Sequence, residues 1–233
     1  NKQFLKKHFD EKSGPLFKCD NIDRFCDTAN APSAYSPSLI YLGEDSSLYY
    51  NSYDMKSDNG WAELVELITT INYNFSQIDS VLNVDRTLWM HAINYSLINF
   101  DSYIGYAQNY YLYKDRTKQF NPILWDFNMS FGGFRLTDAS QLYFNGFDIL
   151  QAQEMDPLVH HNLISVSPRP LMSNLFSSER NRKMYLAHIR TIMQENFVNQ
   201  DYFVRGQYIQ NLIDQDVQSD TNKFYSYSDF TTN

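Results

Sequence analysis

The sequence predicts an α+β fold: a small antiparallel sheet and a hairpin in the first half, and a mainly helical second half. Three observations predict it. Short apolar and aromatic runs bounded by Gly, Pro, Asn and Ser recur as far as Phe127. A helical period in hydrophobicity sets in at Gly60 and again at Asn83. From Pro168 onward that period is the only pattern left.

Taken in order, Asn1 to Phe9 reads as a short helix with Phe4, Leu5 and Phe9 on one side, broken by Ser13-Gly14-Pro15. Leu16-Phe17-Lys18 reads as a strand. Asp20 to Pro37 reads as an irregular loop. Ser38 to Leu42, Leu48-Tyr49-Tyr50 and Tyr53-Asp54-Met55 read as further extended segments. Trp61, Leu64, Val65, Leu67, Ile68 and Ile71 recur at helical spacing, so a helix follows Gly60. Asn83 is the expected N-cap of the next helix, which is apolar around much of its surface from Val84 to Ile98 and is therefore expected at the centre of the core. Asn109 to Tyr113 and Phe120 to Phe127 read as two strands joined by the polar turn Lys114 to Gln119. Gly146, Asp156-Pro157 and the polar content make Arg135 to Asn162 read as a long surface segment with some order. Pro168-Arg169-Pro170 starts a helical tail in which Leu171, Leu175 and Phe176 form one apolar patch, continued by helices over Glu179 to Phe197 and Asp201 to Gln218. No internal repeat or low-complexity linker interrupts the chain, and one domain over 1–233 is the simplest reading.

Composition narrows the function. The 233 residues are 43% hydrophobic and 16% aromatic, enough for a packed core. Formal net charge is -8, with Lys and Arg scattered, which argues against nucleic acid or an anionic membrane as the main partner. No apolar run approaches the roughly 20 residues that span a bilayer. The 18 Tyr either suit a carbohydrate-rich, extracellular setting or fill half-buried strands. Cys19 and Cys26 either close a small disulfide loop or stand as two thiols, and no partner residues at suitable spacing make them a zinc set. The chain opens at Asn1 without Met, so a fragment or processed form is expected.

The chemistry concentrates between Asp101 and Arg135. Asp126 follows the apolar run Ile123-Leu124-Trp125, so a carboxylate stands at a strand end, with Gly132 and Gly133 shortly after. Pairing the two strands brings Asn109 and Asp126 together across the ladder. A strand-end Asp and an Asn carbonyl are the minimal protein share of a Mg²⁺ site, in which waters and substrate phosphates supply the remaining oxygens. Asp101 would then orient or deprotonate a hydroxyl nucleophile. Lys18, on a strand, is either a phosphate partner or a solvent-facing lysine. His91, within a helix, is either a base or a histidine with a satisfied hydrogen bond. His160-His161 read as loop residues.

The segments LNVDRTLWMHAINYSL, NFDSYIGYAQNYYLY and PILWDFNMSFGG together resemble the CotH kinase family, named for spore coat protein H. The likeness extends more weakly to GPLFK, SLIYLGED and PRPL. It implies an atypical protein-kinase-like fold that moves the ATP γ-phosphoryl group to serine or threonine hydroxyls of a protein, with Mg²⁺ or Mn²⁺. It implies Asp101 as the catalytic carboxylate, Asn109 and Asp126 as metal ligands, Lys18 as the phosphate lysine and Phe120 as an aromatic stacking on adenine. Asn128 stands where relatives often carry a second Asp; it keeps an oxygen donor without the charge. No Gly-rich phosphate-covering loop is visible, and the strands that precede the lysine in relatives are not in this chain. The resemblance also implies a secreted or cell-envelope setting. Two other readings compete: an inactive, pseudokinase-like module for adhesion, envelope assembly or glycan binding, and a glycoside hydrolase using Asp101 and Asp126 as paired carboxylates.

Overall fold

Alternation along Leu16-Phe17-Lys18-Cys19 sends Phe17 and Cys19 to one face and Lys18 to the other. In the computed structural model, which describes residues 2–20, 36–133, 147–159 and 168–232, this segment is strand β1 (Leu16–Cys19), with Phe17 and Cys19 fully buried. It lies between β2 (Tyr53–Met55) and β3 (Tyr110–Lys114), and β4 (Phe120–Leu124) closes the sheet in the order β2-β1-β3-β4, antiparallel throughout. The fold is therefore α+β, as expected. The ring of Phe17 packs edge-on to Trp61 at 5.2 Å and near Phe120 at 6.4 Å, which ties the sheet to the helices behind it. Gly14 just before β1 is obligatory: a Cβ there would lie 1.9 Å from the Lys114 carbonyl oxygen. The edge strand β4 carries Pro122, which has no N–H to offer a further strand.

Helices supply the rest. α1 (Lys2–Phe9) buries Leu5 and ends at Asp10, which takes φ 61°. α2 (Trp61–Tyr73) buries Leu64, Leu67, Ile68 and Ile71, the positions its sequence period marks. α3 (Val84–Ser96) starts at Asn83, whose side chain accepts the Arg86 N–H at 3.0 Å. It buries Leu88, Met90, His91 and Ala92 and is the central helix that its apolar circumference predicts. A single turn, α4 (Tyr103–Tyr106), precedes β3. α5 (Ile149–Glu154) opens with a capping box at Asp148. α6 (Pro170–Ser177) puts Pro170 in its first turn and buries Leu171, Met172, Leu175 and Phe176. α7 (Glu179–Ile192) runs on into a π-helical turn over Met193–Val198. α8 (Asp201–Ser219) and α9 (Tyr227–Thr232) complete the chain. By contacts the chain forms two compact units, Asn1–Ile189 and Arg190–Asn233. No helix among the described residues is long and apolar enough to cross a membrane. The readings made for Cys26, Arg135 and the pair His160-His161 lie outside the described residues.

Two expected strands are something else. Leu48 and Tyr49 belong to a 3-10 turn over Ser46–Tyr49, capped by Asp45, whose carboxylate accepts the Ser47 N–H at 2.9 Å. Ser38 to Leu42 joins no ladder, because tyrosine hydroxyls take the place of a partner strand. The Leu39 N–H donates to the Tyr53 hydroxyl at 3.0 Å, and the Tyr103 hydroxyl donates to the Ser38 carbonyl at 2.9 Å. The Tyr110 hydroxyl donates to the Pro37 carbonyl, and the Tyr49 hydroxyl bridges the Leu42 N–H and the Gly43 carbonyl. Leu39 takes φ 63°, which no continuous strand tolerates. These buried tyrosines give the Tyr-rich composition a structural use: each ring fills core while its hydroxyl satisfies backbone that would otherwise be orphaned.

His91 also departs from expectation. Its ring is fully buried beside Tyr103 and Phe176, and neither ring nitrogen has a hydrogen-bond partner among the described residues. Burial lowers its pKa from 6.5 to about 3. The unfolded chain therefore takes up the proton first, so His91's contribution is complete above the ordinary histidine range and lost as pH falls from about 6.5 toward 3. Between pH 7 and pH 5 this group alone is expected to cost about 2 kcal/mol of stability. Urea unfolding of the wild type and His91→Leu at both pH values measures it as the difference in slope between the two proteins.

Candidate functional site

The hairpin places two of the predicted residues by ending where it does. Its last paired residues are Tyr110 and Leu124, so Asn109 and Asp126 both lie just beyond the ladder, offset by one residue from direct opposition. Both leave the strand in the left-handed region, at φ 61° and φ 56°. Asn and Asp are the side chains that tolerate this conformation, so the sequence suits the turn at both points.

Asp101 arrives by a different route. It follows α3 through Ile98 (φ 49°), Asn99 and Phe100. Asn99 is fixed by its amide donating to the Asn94 side chain at 3.0 Å, and the Ser102 hydroxyl donates to the Asn99 carbonyl at 2.7 Å. The segment after Asp126 is then fastened to the same place. The Phe131 N–H donates to the Leu97 carbonyl at 2.6 Å, and the Gly132 N–H to the Ile98 carbonyl at 3.3 Å. Gly132 takes φ 72°, so its glycine is used for the turn that makes this approach. The end of α3, where Asp101 follows, and the stretch after Asp126 are thus held together by main-chain bonds.

Around Asp101 the polar contacts close a ring. The Gln108 amide donates to its carboxylate at 2.5 Å, and the Asn109 amide donates to its main-chain carbonyl at 2.8 Å. With the Asn109 nitrogen committed, its side-chain oxygen is left as an acceptor. Burial raises the Asp101 pKa above the usual carboxylate value; the negative charges of Asp126 and Asp20 raise it further, while the hydrogen bonds from Gln108 and Asn109 oppose the shift. Asp126 and Asn128 are solvent-exposed.

Lys18 projects from the opposite face of β1 to Phe17, on the same row as Asp54 and Tyr111. Its ammonium pairs with Asp20 at 2.6 Å, and the hydrogen bond to that carboxylate raises its pKa. Asp20, in turn, is one of the charges felt by Asp101. Asp101, Asn109 and Asp126 therefore share one neighbourhood, to which Lys18 is connected through Asp20. The structure does not bring Phe120 there. That ring is fully buried at the other end of β4, with Lys114 Nζ 5.7 Å from its centroid and its backbone bonded to Val81 and Asn83.

Two residues of the neighbourhood were not read from the sequence. Asp20 had a usable signal, since residues two apart on an extended segment share a face and Lys18 stands two before it. Gln108 had none that separates it from the many other polar residues.

The donors here are all oxygens, which suits a hard cation. Among the described residues, no group of three His, Cys, Asp or Glu stands where it could hold a metal. Two carboxylates and an amide oxygen therefore fit Mg²⁺ or Mn²⁺ only as a partial shell, completed by water or phosphate, and not as a closed protein cage. A cavity of about 640 Å³ lies elsewhere, between α1, α3 and β4, lined by Phe4, His8, Arg86, Trp89, Ile93 and Leu124 among others, and none of the candidate residues lines it.

A family model described as CotH kinase protein matches residues 1–233. No curated protein and no solved structure matches the chain.

Proposed function

The chain belongs to the CotH kinase family, and from that premise we propose that it is an atypical protein kinase, moving the ATP γ-phosphoryl group to serine or threonine hydroxyls of secreted or cell-envelope proteins. The observation that carries the reading is the convergence of Asp101 and Asp126, from two segments fastened by the Phe131–Leu97 and Gly132–Ile98 bonds. In this reading Asp101 orients the acceptor hydroxyl and takes its proton as the new O–P bond forms. The bond from the γ-phosphorus to its bridging oxygen breaks, and ADP leaves. The raised pKa of Asp101 suits a group that must accept a proton. Asn109 and Asp126 would hold the divalent cation, with Asn128 beside them, and the cation would neutralise phosphate charge when bound. Lys18 would meet the phosphates, with Asp20 as its carboxylate partner. Phe120 has no part in this assignment, because its ring lies in the core.

The incomplete protein shell gives a specific expectation. Mg²⁺ or Mn²⁺ alone should produce no binding heat, ATP alone little, and the two together a clear saturable heat, because phosphate oxygens complete the coordination. Calorimetry with each component separately and then together measures this, alongside phosphate incorporation into casein as a generic acceptor. The second reading, an inactive scaffold, is favoured by Asn128 standing where relatives often carry a carboxylate. No heat with metal and ATP together, and no incorporation, would establish that reading in place of the first.

A further inference from the structure

Resting on that reading, we propose that Arg169 is a positioning residue: its guanidinium clamps the turn between Asp101 and Asn109 and so sets the geometry of the catalytic loop. The residue lies 68 positions beyond Asp101 in the Pro168-Arg169-Pro170 motif, and the described carbonyls its guanidinium reaches belong to the main chain of Tyr103, Gly105 and Pro168. Pro170, in the first turn of α6, disfavours a helical backbone at Arg169, which takes φ -119° and ψ 69°. The side chain is aimed inward and only 3% exposed. Its Nε donates to the Tyr103 carbonyl at 2.8 Å, and one terminal nitrogen donates to the Gly105 carbonyl at 2.5 Å. The other terminal nitrogen donates to the Pro168 carbonyl at 3.3 Å.

Tyr103 and Gly105 belong to α4, a single helical turn in which the Tyr103 carbonyl also accepts the Ala107 N–H at 3.2 Å. That turn is the whole connection from Asp101 to Gln108 and Asn109. Ala107 ends it at φ 57° and Asn109 follows at φ 61°, so small rotations in α4 are passed directly to the two amides that bond Asp101. A planar fork spanning two carbonyls fixes the orientation of the turn as well as its distance, which a single ammonium cannot do. Burial disfavours the charge of Arg169, so the position is a costly one for mere space-filling.

Arg169→Lys and Arg169→Met in the full chain test the assignment. Both are expected to remain folded by circular dichroism, with KM for ATP in the presence of Mg²⁺ changed less than about threefold and kcat reduced about 10²-fold by misplacement of the loop. Hydrogen exchange at the amides of residues 102–108 is expected to quicken by about tenfold, with α2 and the hairpin unchanged. Wild-type kcat in both variants, with wild-type exchange at 102–108, would overturn the proposal. So would exchange that quickens equally throughout, which marks a general structural role, or a variant too unstable to purify whose partner, the other substitution, behaves in that way. The exchange measurement needs no activity, so it judges Arg169 even where the wild type transfers no phosphate and the kinase reading itself has failed.

Discussion

Asp126→Ala is expected to lower phosphate transfer by about 10³-fold or more while the protein remains folded, since it removes the principal carboxylate of the proposed metal-phosphate site. The side chain is exposed, so no buried partner is left unsatisfied by its removal. Backbone conformation is the complication. Residue 126 sits at φ 56°, where Ala is disfavoured by roughly 1–2 kcal/mol. In a chain of this size that lowers Tm by about 2–8 °C. Asp126→Asn separates the two effects, because Asn tolerates the conformation and keeps an oxygen while losing the charge. The Asn variant is expected to melt with the wild type and to lose most of its metal-dependent nucleotide heat. Undiminished transfer by the Ala variant would take Asp126 out of the mechanism.

Asp101→Asn is expected to lower kcat by about 10²–10⁴-fold with little change in KM, the signature of a lost proton acceptor. It is also expected to raise Tm at neutral pH. The folded pKa of Asp101 is raised, chiefly by burial and next by Asp126, so the folded state favours the protonated form. The stability that this group contributes is present at low pH and declines as pH rises through its folded value, which makes the ionised carboxylate a burden at pH 7. Asn carries no such burden and still offers Gln108 an acceptor. The gain over wild type should therefore vanish when the pH is lowered below the carboxylate range. A variant that melts lower at pH 7 and still turns over at the wild-type rate contradicts both parts. Activity lost alongside stability gained is the pattern of a residue kept for chemistry.

These assignments were readable in the sequence to different depths. The hairpin was legible because Lys114 to Gln119 is a polar turn between two aromatic runs, and α2 and α3 because their apolar periods are long. Asn109 and Asp126 could be paired from the hairpin alone, to within one residue. Three things were beyond pattern. The course of Ser38 to Leu42 depends on hydroxyls from Tyr53 and Tyr103, whose approach follows from tertiary packing. The fastening of Phe131 and Gly132 to Leu97 and Ile98 is main-chain bonding between irregular segments, for which side-chain identity gives no signal. Phe120 has the composition of a ligand-stacking ring, yet its place opposite Lys114 at the turn end of the ladder sends it into the core.

Of the four described strands β1 comes first in the chain but sits between β2 and β3. A nascent chain must hold Phe17 and Cys19 without a finished sheet until the hairpin has left the ribosome, so this stretch depends on prompt completion of synthesis or on a chaperone. Proteolytic trimming past Cys19 would have a related result. Among the described strands it would leave β2 without a neighbour and β3 with β4 as a two-stranded ribbon, an arrangement of marginal stability in water.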